Sequence, residues 1–262
     1  MRALNTAATG MMAMELNVQV ISNNLANMTT TGYKRQRAEF QDLLYDHVSR
    51  IGTQTSSQGN ILPVGIDLGS GVKAVGTPRL MTQGTLTQTG GTLDVAIRGD
   101  GFFKIQMPDG TYAYTRDGSF QMDAQGRIVT AQGNLLMPGI TIPQNSSGLT
   151  INSQGQVSVI PQGSTSATVL GQMTITRFIN QAGLLPIGDN LYTETPASGT
   201  PQDGYANTDG AGDLLQGSLE QSNVDSVSEI TNLIAAQRAY EMNSKVISAA
   251  DQMLQTTSNL MR

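Results

Sequence analysis

Residues 1–28 read MRALNTAATGMMAMELNVQVISNNLANM, and the apolar positions of that stretch decide the architecture. Leu4, Ala7, Met11, Met14, Val18, Ile21, Leu25 and Met28 follow one another at alternating steps of three and four, the spacing of a coiled-coil seam. A helix of about 26 residues would reach roughly 39 Å. The run Thr29-Thr30-Thr31-Gly32 predicts its end, because β-branched residues do not extend a helix and glycine accepts the left-handed turn after one. Met and Ala dominate the seam, which makes it adaptable rather than sharply specifying.

The other end of the chain mirrors this pattern. Ser226-Val227-Ser228-Glu229 reads as a capping box, with the hydroxyl and the carboxylate each satisfying a backbone N–H of the first turn. Leu233, Ala236, Tyr240, Asn243, Ile247, Ala250, Leu254, Thr257 and Met261 then keep the same alternating spacing. Asn243 and Thr257 put polar groups on the seam, which costs stability and fixes register. The two stripes can pack inside one globular core, or pair with each other and with other chains. Their separation by a long non-helical middle favours the second reading. The candidate subunit-interface residues are Leu4, Met11, Met14, Val18, Ile21, Leu25 and Met28 on the first stripe, and Leu233, Tyr240, Asn243, Ile247 and Leu254 on the second.

Between the stripes the pattern turns to β. Residues 102–107 and 111–116 are strand-like runs joined by Pro108-Asp109-Gly110, a strong hairpin signal. Further turns at Asp117-Gly118, at residues 123–126 and at residues 152–155 separate short strands over 119–122, 127–130, 149–151, 156–160 and 172–179. Such spacing predicts an antiparallel meander closing into a sandwich or barrel. Residues 49–65 and 196–213 read as polar loops. The fold class expected is mainly β with α: N- and C-terminal coiled-coil helices flanking an antiparallel β-rich central domain. The division follows as 1–45 for the first helical segment, 46–65 for a linker, 66–215 for the β-rich domain and 216–262 for the second helical segment.

Composition limits the function. Fifteen Lys and Arg against twenty Asp and Glu give a net charge of −5. That balance disfavours a nucleic-acid groove or an anionic membrane surface. Charged residues make up only 13% of the chain, so its polar surface is mostly Ser, Thr, Asn and Gln, as in many exported proteins. Yet residues 1–30 lack the continuous apolar run of a cleavable signal peptide, and no stretch is long and apolar enough to insert in a membrane. Export without cleavage reconciles the two. Residues 178–237 carry eight acidic side chains and no Lys or Arg. This strip reads as a solvated face, or as a docking partner for the basic Lys34-Arg35-Gln36-Arg37 of a neighbouring chain.

Catalytic constellations are not found. There is no Cys and one His, so thiolate and multi-His metal sites are excluded. His47 reads as a surface residue closing a helical turn. Gly99-Asp100-Gly101 leads into a strand rather than a helix, which removes it as a phosphate loop. The Asp-Gly pairs are turns without the ligand ladder of a calcium loop. The expectation is no catalytic, cofactor or metal site, with a glycan-acting β domain as the enzymatic alternative.

Three blocks resemble the bacterial flagellar axial proteins, the rod and hook family. The first is residues 23–38 with Phe40-Gln41-Asp42-Leu43, carrying Asn23, Asn24, Asn27, Gly32, Lys34, Arg35 and Phe40. The second runs from Gly99 to Phe120 and carries Gly101, Phe102, Arg116 and Gly118. The third runs from Ser222 to Leu254 and carries Arg238, Ala239 and Tyr240. The chain has no room for the extra outer domain of a hook protein and exceeds the smallest proximal rod subunits. Residues 44–63 sit where one class of rod subunit carries an insertion that the hook protein lacks, which the resemblance implies would lock neighbouring subunits.

The resemblance implies a non-enzymatic, cofactor-free subunit whose terminal helices build an inner tube, with the β domain facing outward. Implied partners are further copies of the chain in a helical homo-oligomer, proximal rod proteins, the hook protein, the P- and L-ring proteins and the flagellar export apparatus. Nucleic acid and direct membrane insertion are not expected. The implied place is the basal body from periplasm to outer membrane, reached without a cleaved signal peptide. Another axial subunit of the same family is the near alternative.

Overall fold

A computed structural model describes residues 2–49, 64–163, 166–208 and 210–260. The chain divides into two compact units, one of Met1–Leu25, Gln36–Pro78 and Asp225–Arg262, the other of Ala26–Arg35 and Arg79–Val224. The first is termed the helical unit and the second the sheet unit.

In the helical unit the two stripes become α1 (Arg2–Ala26) and α2 (Ser226–Leu260). They lie antiparallel: Asn24 meets Glu229 near one end, and Gly10 faces Asn243 about four turns further along both helices. The row in closest contact is thus one residue before Leu25 and Met11. The apolar stripe of α1 flanks that row, so Ala7 and Ile21 are buried while Leu4, Met11, Met14, Val18 and Leu25 stay half-buried. On α2, Leu233, Asn243 and Ile247 are half-buried, while Tyr240 and Leu254 are 43% and 45% exposed.

Several expectations are corrected here. α1 stops at Ala26, so Met28 leaves the seam for the following turn, where it is 42% exposed. The cap of α2 is Asp225, not Ser226: its Oδ1 accepts from the Val227 N–H at 3.2 Å and its Oδ2 from the Ser228 hydroxyl at 2.6 Å. A carboxylate at the first turn also suits the positive end of the helix dipole. The predicted linker begins as strand and leads into another just after its end, with Tyr45–Ser49 antiparallel to Ile66–Gly69; Glu39–Asp42 is likewise antiparallel to Val72–Gly76. Residues 50–63, which hold most of the predicted linker and insertion, lie outside the described residues. His47 therefore sits on an exposed strand, its Nδ1 2.6 Å from Asp67 Oδ1, not at the end of a helix.

The sheet unit is built around Phe102–Gln106. This strand pairs antiparallel with Tyr112–Thr115 through the predicted Pro108-Asp109-Gly110 turn, and also with Thr174–Arg177 and Leu135–Leu136, within a nine-stranded sheet. Adjacent residues of a strand face opposite sides, and both sides are covered. Phe103 joins Val95, Ile97, Ile105, Ile128, Val157, Met173 and Ile175 in the larger core. Phe102 joins Tyr114, Phe178, Leu184 and Tyr192 in an aromatic cluster, where Phe178 stands edge-on to Phe102 at 5.9 Å and to Tyr114 at 4.8 Å.

Ser146–Ile151, Gln156–Pro161 and Thr168–Gln172 form a separate three-stranded sheet. The strand expected over 172–179 is divided, because Thr168–Gln172 and Thr174–Arg177 belong to different sheets. The loop expected over 196–213 holds the strand Gln202–Tyr205, paired with Thr174–Arg177. Two further ribbons pair Val95–Arg98 with Asp213–Gln216 and Leu86–Gln88 with Ser218–Glu220. The second ribbon carries Glu220 into the interior.

Candidate functional site

α1 and α2 present Asn24 and Glu229 to each other inside the helical unit, each 1% exposed. The Asn24 amide donates to Glu229 Oε2 at 3.1 Å and to the Gln36 carbonyl at 2.8 Å, while its Oδ1 accepts from the Gln36 N–H at 2.9 Å. One side chain therefore ties the end of α1 to the start of α2 and to the chain beyond residue 35. An amide supplies both the donors and the acceptor this requires, as no hydrophobic residue or carboxylate could.

In the sheet unit, segment 26–35 is held by a buried ionic node. Lys34 Nζ lies 2.6 Å from Glu220 Oε1, and Arg116 Nε lies 2.7 Å from Glu220 Oε2, with all three side chains at most 5% exposed. Lys34 also donates to the Thr82 carbonyl at 2.8 Å, and the Gly84 N–H donates to Glu220 Oε1 at 2.8 Å. The remaining guanidinium N–H groups of Arg116 reach the Gly99 and Gly101 carbonyls. Burial pushes the Glu220 carboxyl up, but Arg116, Lys34 and the Gly84 N–H outweigh it and hold the group below the ordinary glutamate range. The Lys34 amine is lowered by burial against the pull of Glu220, with Arg116 adding repulsion. The two downward shifts have different causes: burial for the Lys34 amine, and the two cations with their hydrogen bonds for the Glu220 carboxyl.

Backbone and amide contacts continue the attachment. The Gly32 N–H donates to the Glu220 carbonyl at 2.8 Å, the Arg35 N–H to Asn223 Oδ1 at 2.7 Å, and the Asn223 amide to the Leu80 carbonyl at 2.8 Å. Glycine is required at 32: φ is +68°, and a Cβ there would lie 2.8 Å from the Asp117 nitrogen. Gly118 is constrained by proximity instead, since a Cβ would come 1.7 Å from the Val95 carbonyl oxygen.

The node gathers Gly32, Lys34, Gly101, Arg116 and their surroundings from blocks far apart in sequence. Phe102 lies in the neighbouring aromatic cluster, and Phe40 is half-buried on its strand in the helical unit. Asn23 is exposed, and Asn27 accepts from the Thr30 N–H and hydroxyl, both at 3.2 Å. Arg238 is exposed on α2 and pairs with Glu241 at 3.2 Å, beside half-buried Ala239.

Glu220 is not among the residues that the sequence singles out. The acidic strip 178–237 does not form one solvated face: Glu220 is buried, Asp203 pairs with Lys104 and Asp213 with Arg98. Lys34 meets that strip within its own chain. No alternation of apolar and polar residues marks Leu214–Glu220, and in its last strand the polar Ser218 and Glu220 are buried while Leu219 is only half-buried, so the sequence carried no signal for the interior face.

Residues 4–34 match the family described as flagella basal body rod protein, residues 96–159 the flagellar hook protein FlgE/F/G D1 domain, and residues 215–260 the flagellar basal body rod FlgEFG protein C-terminal family. The flagellar basal-body rod protein FlgG of Caulobacter vibrioides is 56% identical over 260 residues, covering 99% of both chains. The chain belongs to the FlgG family of flagellar basal-body rod proteins. The FlgG of Buchnera aphidicola subsp. Acyrthosiphon pisum is 49% identical over 252 residues, 96% of each chain. The rod protein FlgF of Caulobacter vibrioides is 36% identical over 252 residues, 94% of this chain and 91% of the relative. The FlgG assignment places the protein in the flagellar basal body. It also fits the node, since Lys34 and Arg116 with Glu220 join segments covered by all three family matches.

Proposed function

We infer that the chain is a structural subunit of the flagellar distal rod, assembling with copies of itself into a helical tube that transmits torque from motor to hook. The observation carrying this reading is full-length similarity to FlgG, 56% against 36% for FlgF of the same organism. The structure adds a physical demand: the α1–α2 pair leaves Met11, Met14, Val18, Tyr240 and Leu254 incompletely buried. Neighbouring helices that covered these side chains would couple subunit ordering to assembly. Contacts of head-to-tail type that do not close produce a tube rather than a ring.

The role requires no chemistry, and the chain is read as a non-enzyme without cofactor. Proximal rod proteins, the hook protein and the P- and L-ring proteins are its proposed neighbours, from the periplasm to the outer membrane. Passage through the flagellar export apparatus without a cleaved signal peptide is consistent with the neutral-polar composition. Residues 44–63 are proposed to bridge neighbouring subunits.

The test is complementation of a bacterium deleted for its own FlgG, with isolated hook–basal bodies viewed by electron microscopy. Full-length rods carrying hooks are expected with the wild-type chain, and truncated rods with Met14→Asp or Leu254→Asp. Full-length rods without this chain in them would refute the assignment.

A further inference from the structure

Glu220 neutralises two cations at once, and the arrangement carries one positive charge in excess. Lys34, Arg116 and Glu220 are 2%, 5% and 1% exposed in their side chains, so water does little to disperse that excess. The carbonyls of Thr82, Gly99 and Gly101 absorb part of it, and the charge of Asp100 favours the ionised lysine. Burial of such ions is tolerated only when the opposite charge and the hydrogen bonds are all in place. The participants are distant along the chain, with Lys34 186 residues from Glu220 and Arg116 104 residues from it.

We propose that Glu220 is a chain-completion lock: residues 31–35 seat on the sheet unit only once the strand Ser218–Glu220 has paired with Leu86–Gln88. Before that pairing, seating Lys34 would bring two buried cations together with no buried counter-charge, since Asp100 is exposed, so the lysine stays in water. The same strand supplies the Glu220 carbonyl for Gly32, and the turn after it supplies Asn223 for Arg35. Seating is therefore all-or-none. A chain whose C-terminal third is absent or unfolded keeps the segment after α1 unattached, and no half-seated state is stable. The lock is a property of the single chain, whatever the subunit assembles with.

The test is acetylation of lysines in the full-length monomer, read by mass spectrometry, with exposed Lys73 and Lys245 as internal references. In the wild-type chain Lys34 should react at least about tenfold more slowly than Lys73, and in Glu220→Gln that gap should close to within about threefold. Amide exchange should meanwhile show Phe102–Gln106 and Tyr112–Thr115 still protected, and the Gly32 and Arg35 amides exposed. A Lys34 that stays protected in Glu220→Gln, with the sheet intact, overturns the proposal, as does a Lys34 as reactive as Lys73 in the wild-type chain. Should Glu220→Gln lose the sheet as well, the double variant Lys34→Met/Glu220→Gln decides, because it removes the excess cation. Recovered sheet protection with slow Gly32 and Arg35 exchange supports the lock, and continued loss refutes it.

Discussion

Asn24 and Glu229 meet at 3.1 Å across 205 residues of chain, both buried where α1 ends and α2 begins. A neutral amide against a carboxylate allows this contact, and the choice of amide is testable. Asn24→Asp would set two buried carboxylates together and remove the donor to Gln36. We expect a loss of about 2–3 kcal/mol in urea unfolding, largely recovered by adding Glu229→Gln. Equal stability of Asn24→Asp and the wild-type chain would show that the contact carries no weight.

Gly10 and Asn243 set a second point on the same interface. A Cβ at residue 10 would lie 2.9 Å from Asn243 Nδ2, a flexible side-chain end, so Gly10→Ala alone should change stability little in either direction. With Asn243→Ala the space opens and the helix-propensity gain of alanine is released. The double variant should gain about 0.5–1 kcal/mol over Asn243→Ala, measured by thermal unfolding of the two proteins.

Acid should weaken the sheet unit through Glu220. Its carboxyl releases its proton more readily in the folded chain than at the ordinary value of 4.5, so unfolding takes up a proton below that value. The stabilisation is then complete above about pH 5 and is lost as pH falls through the depressed folded value. Urea midpoints between about pH 3 and pH 6 should rise with pH more steeply in the wild-type chain than in Glu220→Gln. Parallel profiles would remove Glu220 as a source of the acid sensitivity.

Phe178 closes the aromatic cluster by contacting both Phe102 and Tyr114 edge-on. Phe178→Ala should cost about 3–5 kcal/mol, seen as a lower urea midpoint, since the cavity forms between rings that cannot collapse together. A loss below about 1 kcal/mol would mean that the cluster refills by local movement.

The helices were legible because their signal is local: a 3–4 stripe needs only its own neighbours in sequence. The hairpin at Pro108-Asp109-Gly110 was legible for the same reason, and Gly110 takes the positive φ of +84° that such a turn needs. What the sequence hid is long-range. Nothing near Glu220 says that its partners are Lys34 and Arg116, and a carboxylate in a strip without basic residues looks solvated until the fold brings the cations to it. The strand at His47 was hidden too, because its partner Ile66–Gly69 comes only after an intervening polar stretch. The close row between α1 and α2 was displaced by one residue because small and polar side chains, Gly10 and Asn24, permit nearer approach than the bulky stripe beside them.

Gly118 has a consequence for how such a protein would look to genetics. Any side chain there collides with the Val95 carbonyl, which belongs to the backbone and cannot swing aside. In a saturation screen for swimming, codon 118 should accept almost nothing, as sharply as a catalytic position in an enzyme. An observer ranking residues by intolerance alone would place an active centre there, in a molecule whose proposed work is carrying load. The intolerance would report the distance between two pieces of main chain.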